Sequence, residues 1–224
     1  MTTVIYHSAD YDGIFCREIA RKFLPDAKLI GWNFGDPLVP IPPEGTIYIL
    51  DLSPACLEPF TCNGRLVWID HLKSSIEKWA VEIPGYRLDG VATCRLAWQF
   101  FNCCGDHRRP RTIFNPLPSK QDFINRTVIE PLAVQLAGEY EIGDKRNPDA
   151  ETFQHGLRCV DLDAPIYDGS PTTDRVNWWY ELLRIPHPTE AKIMGGPTAV
   201  ESLLFKGKIA QTCAQNIDAD LVNK

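Results

Sequence analysis

Thr3-Val4-Ile5-Tyr6-His7-Ser8-Ala9-Asp10-Tyr11-Asp12-Gly13-Ile14-Phe15 runs a short β-branched and aromatic segment into the start of an amphipathic one. The Thr-Val-Ile-Tyr run favours a strand. From Asp12 to Phe23, Ile14, Phe15, Ile19 and Phe23 share one helical stripe, with Arg17, Glu18, Arg21 and Lys22 opposite and Pro25 as the stop. Ala27 to Trp32 reads as a second strand. The same device then recurs twice: Thr46-Ile47-Tyr48-Ile49-Leu50 runs into Asp51, and Leu66-Val67-Trp68-Ile69 runs into Asp70. Strands apolar on both faces belong in a buried parallel sheet. Short helices are expected over Lys73 to Trp79 and Val91 to Phe101, the latter with Leu96, Ala97 and Phe100 inward. Strands alternating with amphipathic helices predict an α/β fold, with a mostly parallel central sheet flanked by helices.

Past Asn102 the pattern changes to a proline- and arginine-rich loop over Cys103 to Pro118. Ser119 with Asp122 resembles a capping signal and predicts a helix through about Gly138. Another helix begins at Pro148 to His155, and the acidic, turn-rich Asp161 to Thr173 marks a boundary. The expected organisation is a catalytic α/β domain over 1–160 and a helical C-terminal extension over 161–224, capped at Thr198 with Glu201.

The 224 residues carry 23 Lys+Arg and 29 Asp+Glu, a formal net charge of −6. That balance argues against electrostatic binding of long duplexes, which needs a broad basic surface. No run of 18 apolar residues occurs, which argues against a transmembrane helix. The segment Met1 to His7 lacks a basic stretch followed by a long apolar one, so the expectation is a soluble cytoplasmic protein. A homo-oligomer is compatible with the sequence. The eight cysteines include no C-x-x-C pair, and Cys103-Cys104 with His107 has no matching second pair, so reduced structural thiols are expected.

The chemistry gathers at the strand ends. The first strand yields His7, Asp10 and Asp12, the third Asp51, and the fourth Asp70 and His71. In open parallel sheets ligands collect at the carboxyl ends of strands, near the point where strand order reverses. An Asp after a strand is common as a helix cap, and Asp12 alone would be read that way. A set at successive strand ends instead suggests a crevice whose carboxylates repel one another without cations between them. Carboxylates and imidazoles without thiolate fit manganese or magnesium better than structural zinc. Two such ions about 3.5–4 Å apart activate a water and clamp a phosphoryl group.

With these motifs the chain resembles the DHH phosphoesterase superfamily. Three segments carry the likeness: His7-Ser8-Ala9-Asp10-Tyr11-Asp12-Gly13, Leu50-Asp51-Leu52 and Ile69-Asp70-His71-Leu72-Lys73. Asp89-Gly90-Val91-Ala92-Thr93-Cys94 is similar to the segment that follows the namesake motif, and Gly138-Glu139-Tyr140-Glu141 to the fourth motif. The resemblance implies two Mn2+ ions, with Mg2+ as a substitute. His7, Asp10 and Asp51 would hold one; Asp12, Asp51, His71 and Glu141 would hold the other. Asp51 and His71 would carry catalysis, and Asp70 would orient His71. It further implies hydrolysis of a small phosphorylated substrate, such as a short oligonucleotide or cyclic nucleotide.

Two positions depart from the family pattern. Leu72 stands where the namesake triplet has its second His, a residue that approaches the substrate phosphate, and Glu141 replaces an Asp, with Gly143 where an aromatic is usual. A catalytically weakened metal- and nucleotide-binding protein is therefore the alternative. The 64 residues after 160 are too few for the complete second substrate-binding domain of many relatives. Lys73 and the loop arginines Arg108, Arg109 and Arg111 are weaker candidates for phosphate contact. Trp178-Trp179-Tyr180, at consecutive helical positions, cannot share a face and reads as packing; His155 and His187 are isolated.

Overall fold

Residues Thr3–His7 form β1 and Tyr11–Phe23 form α1. Between them Asp10, extended at φ −132° and ψ 171°, caps the helix by accepting the Gly13 amide at 2.9 Å. Arg21 and Lys22 occupy the last turn, where cations oppose the helix dipole. The structure is a computed structural model that describes residues 1–40, 42–58, 65–79, 83–103, 128–144, 146–163, 178–184 and 198–222. The chain divides into two compact units, Met1–Glu130 and Pro131–Lys224.

In the first unit β1 and α1 are followed by β2 (Lys28–Trp32), β3 (Val39–Pro40), β4 (Ile47–Leu50), β5 (Leu57–Glu58) and β6 (Leu66–Ile69). Helices α2 (Lys73–Lys78) and α3 (Thr93–Cys103) come next. The main sheet has the order β2-β1-β4-β6 and is parallel throughout; β3 and β5 pair separately, also in parallel. Because β2 lies on one side of β1 and β4 on the other, the strand order reverses between β1 and β4. Tyr6, Leu50 and Ile69 share one register row, so His7, Asp51 and Asp70 leave the sheet side by side. Beyond β6 the chain runs alongside the edge: the Trp68 amide donates to Pro84 O, Asp70 to Tyr86 O, and Leu88 to Asp70 O.

All four residues of β4 and of β6 are buried. Alternation along the strands divides them between two packed faces. Tyr48 meets Phe100 and Phe101 of α3, and Phe101 stacks on Phe23 of α1 at 5.6 Å. On the other face Ile5, Ile49, Trp68, Leu52, Trp32 and Ile83 form one buried cluster.

The second unit is helical: α4 (Leu132–Glu141), α5 (Asp149–Leu157), α6 (Trp178–Leu182) and α7 (Ala199–Val222). The expected capping box is present, with Thr198 Oγ1 accepting the Glu201 amide at 3.2 Å and Glu201 Oε2 accepting the Thr198 amide at 2.7 Å. In α6 Trp179 is buried and Tyr180 exposed, so neighbouring aromatics do face different ways. The α/β class, the parallel sheet flanked by helices and the helical C-terminal portion are as the sequence pattern predicts. One helix differs. Val128 to Pro131 are not helical, and α4 begins only at Leu132, because Pro131 (φ −57°, ψ 140°) has no amide to continue a helix. The sequence-based boundary at 160/161 falls inside the second unit. Among the described residues, no helix is long and apolar enough to cross a membrane. None of the described cysteines forms a disulfide, and Cys16, Cys56 and Cys94 are buried.

Candidate metal centre

Two groups of metal-ligating side chains meet at the carboxyl edge of the sheet, where the strand order reverses. His7, Asp10 and Asp51 form one; Asp12, Asp51 and His71 form the other, with the ligand atoms in each group within 4.8 Å of one another. Asp51 belongs to both. β1 delivers His7, its loop and the first turn of α1 deliver Asp10 and Asp12, Asp51 comes directly after β4, and the turn after β6 presents His71.

Asp51 turns out of its strand with φ 59°, the left-handed region, while its amide still donates to Ile69 O at 3.0 Å. It is the described non-glycine residue found there; Asp and Asn bear that conformation better than other side chains. Gly13 meets a different demand. A Cβ there would collide with the carbonyl oxygen of His7, so only glycine lets α1 start this close to the end of β1.

Several of these candidate ligands make a further contact. His7 Nδ1 lies 2.6 Å from Asp10 Oδ2 and 3.6 Å from Asp51 Oδ2, and Nε2 lies 3.2 Å from Asn33 Oδ1. With both ring nitrogens facing oxygens, the ring is a donor on both sides when protonated. Asp12 is 1% exposed, and both its oxygens accept backbone amides at the start of α3: Thr93 at 2.9 Å and Cys94 at 2.7 Å. The Thr93 hydroxyl donates to Asp51 Oδ1 at 2.9 Å. His71 Nε2 stands 3.6 Å from Asp51 Oδ1 and 3.8 Å from Asp12 Oδ2.

The electrostatics are those of a crowded carboxylate cluster. Burial, then the neighbouring charge of Asp12, pushes the Asp51 carboxyl well above the ordinary carboxylate range. Hydrogen bonds to Asp10, then Asp51, raise His7 from 6.5 to about 10. Burial pushes Asp10 up, but the His7 ring and the Gly13 amide outweigh it and leave its carboxyl below the usual range. Protonated His7 thus stands among the carboxylates as the neutralising charge, a place a bound cation would take. Burial, reinforced by Asp12, pushes the Cys16 and Cys94 thiols well up, which leaves them protonated and unsuited to ligation. The donors are therefore carboxylates and imidazoles, and the centre can hold a metal ion.

Asp70 acts differently from the expectation of a carboxylate against the His71 ring. Its Oδ1 accepts the backbone amides of His71 at 2.7 Å and Leu72 at 3.1 Å, so it fixes the turn rather than the imidazole. Burial raises its own carboxyl, and Oδ2 is buried with no hydrogen-bond partner. Lys73 opens α2 in solvent, 4.0 Å from Glu77. Glu141 ends α4 in the second unit, and both groups above are built from residues of the first. Arg108, Arg109 and Arg111, with Cys104, His107 and His187, lie outside the described residues.

The sequence pattern assigned no role to Thr93 or Asn33. Asn33 comes directly after β2, at the sheet edge where β1 ends in His7, so the strand-end rule applied to the second strand would have found it. Thr93 stands in the segment Asp89 to Cys94 that carries part of the resemblance, but nothing in that segment marked its hydroxyl as a partner of Asp51.

No protein-family model and no curated protein matches the chain. Among solved structures, the crystal structure of an uncharacterized protein from Helicobacter pylori G27 aligns at 16% identity with a TM-score of 0.45. The alignment covers 70% of this chain and 49% of that one, so the chain spans about half the length of that protein.

Proposed function

We propose that the chain is a metal-dependent phosphoesterase of DHH type, hydrolysing a small phosphorylated substrate such as a short oligonucleotide or cyclic nucleotide. The observation that carries this reading is Asp51, shared by two carboxylate–imidazole groups at the point where strand order reverses. His7, Asp10 and Asp51 would hold one ion, Asp12, Asp51 and His71 the other. Hard oxygen and imidazole donors, with both nearby buried thiols protonated, favour Mn2+ and allow Mg2+. Paired divalent ions supply an activated water and neutralise charge on the phosphoryl oxygens.

The chain's own residues prepare that centre. The amides of Thr93 and Cys94 fix the Asp12 carboxylate, the Thr93 hydroxyl fixes Asp51, and Asn33 fixes the ring of His7 from its far nitrogen. Ligands locked before the ions arrive need little reorganisation when charge develops on the substrate.

A catalytically weakened metal- and nucleotide-binding protein is the second reading, and Leu72 favours it. Leu72 is 38% exposed beside His71 and has no side-chain donor for a phosphate. Loss of one preorganised donor lowers turnover by about 10²–10³. Calorimetric titration with Mn2+, followed by hydrolysis assays over mono-, oligo- and cyclic nucleotides, separates the two. Two ions bound with turnover support the hydrolase; two ions and nucleotide binding without turnover support the second reading. Absence of Mn2+ binding defeats both.

A further inference from the structure

We infer that Phe34 is a stacking platform for the base of a nucleotide whose phosphate is directed at the metal centre, an inference that rests on the reading of that centre as a phosphate-handling one. Phe34 lies two residues beyond β2, at the same sheet edge as the ligands, and is 66% exposed. Its ring stands against the His7 ring, with centroids 5.7 Å apart and planes at 67°. A second contact, to Trp32, has centroids 5.6 Å apart and planes at 68°. Both contacts are edge-to-face, and a ring two-thirds exposed between such neighbours has room for a flat partner. A single exposed apolar side chain ordinarily needs no explanation. This one differs because it touches a candidate ligand and is held in place.

The holding comes from a tight turn, Asn33-Phe34-Gly35-Asp36. The Asp36 amide donates to Asn33 O at 3.0 Å, and the Asn33 amide to Asp36 Oδ2 at 2.8 Å. Gly35 has φ +100°, which its missing side chain makes unstrained. Asn33 Oδ1 accepts the Phe34 amide at 2.9 Å and faces His7 Nε2 at 3.2 Å. One side chain thereby ties the aromatic turn and the candidate ligand together. On the far side, the Trp32 indole donates to Pro37 O at 3.0 Å. An aromatic preorganised beside a phosphate-handling centre fits a ligand that has a flat π-face joined to a phosphate. Nucleotides have that chemistry, and stacking tolerates any base.

The test compares adenosine 5′-monophosphate with ribose 5-phosphate, which has the same phosphate and sugar but no base. Binding of each to the Mn2+-loaded protein is measured by calorimetry. Wild type should prefer the nucleotide by about 5- to 150-fold, the equivalent of about 1–3 kcal/mol. Phe34→Ala should bring that preference close to one, and Phe34→Trp should keep it. Equal affinities in wild type, a preference undiminished in Phe34→Ala, or no binding of either ligand overturns the inference. Hydrolysis of an adenylyl dinucleotide, measured in parallel, keeps the two readings apart. A Phe34-dependent preference without turnover would sink the hydrolase and leave the platform standing. Turnover without base preference would do the opposite.

Discussion

At the scale of single residues, Asp51 and Leu72 bear on chemistry in opposite ways. Asp51 is a member of both ligand groups and holds a left-handed backbone, so its replacement must separate two effects. Alanine would remove the carboxylate and add about 1–2 kcal/mol of left-handed strain. Asparagine tolerates the backbone and removes only the charge. Asp51→Asn is therefore expected to lose both ions, whereas His7→Ala loses mainly one. Calorimetric stoichiometry checks this, and two ions bound to Asp51→Asn would contradict the shared role. Leu72 is held beside His71 by Asp70, which accepts both their amides, so a side chain at 72 starts from a fixed point. If an absent imidazole limits turnover, Leu72→His raises kcat about tenfold, or about 1.4 kcal/mol, with Mn2+ affinity nearly unchanged. Steady-state kinetics on the best nucleotide substrate decides; a flat or lower kcat with metals bound would clear Leu72 of that role.

At the scale of elements, the centre depends on how closely α1 approaches β1 and on how α3 meets α1. Asp10 caps α1, and Asp12, two residues on in its first turn, receives the first amides of α3, so one short segment anchors both helices and contributes two candidate ligands. Gly13 is the weak point, because any Cβ there meets the backbone of His7. Gly13→Ala should destabilise the fold by about 1–3 kcal/mol as the helix shifts away. The same shift should weaken Mn2+ binding, since the 2.6 Å spacing of His7 and Asp10 depends on it. Urea unfolding and Mn2+ titration test the pair of effects; a variant with a wild-type midpoint would show that α1 has slack. These elements were legible where an apolar run ends in a strand-terminal acid, as in β4 and β6, because burial on both faces leaves a strong pattern. The start of α4 was not. A capping signal at Ser119 suggested one continuous helix through about Gly138, and Pro131 near its middle was the feature that should have divided it.

For the whole molecule, the candidate ligands were legible because acids and imidazoles at strand ends are a one-dimensional pattern that a parallel sheet turns into a cluster. Their supports were not, because the Thr93 hydroxyl reaches Asp51 across 42 residues and the Asp12 oxygens reach the start of α3 across 81 and 82. Local spacing holds no trace of such pairings. A metal held at this centre would couple its binding to folding through these supports, and the sign of the coupling follows from His7. Its pKa of about 10 in the folded chain exceeds the ordinary 6.5, so the proton it gains on folding stabilises the metal-free protein below pH 6.5. That contribution fades as pH rises toward about 10. A metal must displace the same proton, so ions and protons compete. At fixed Mn2+ concentration, stabilisation by the metal should therefore grow as pH rises from 6.5 toward 10. Each displaced proton strengthens the apparent affinity by up to about tenfold per pH unit, or about 1.4 kcal/mol of added stability once the site is near saturation. Thermal unfolding with and without Mn2+ across that range measures the difference, and calorimetry in buffers of different ionisation enthalpy counts the protons released. Stabilisation that stays level or falls with pH, or binding without proton release, would mean that His7 is not displaced from its proton and does not ligate.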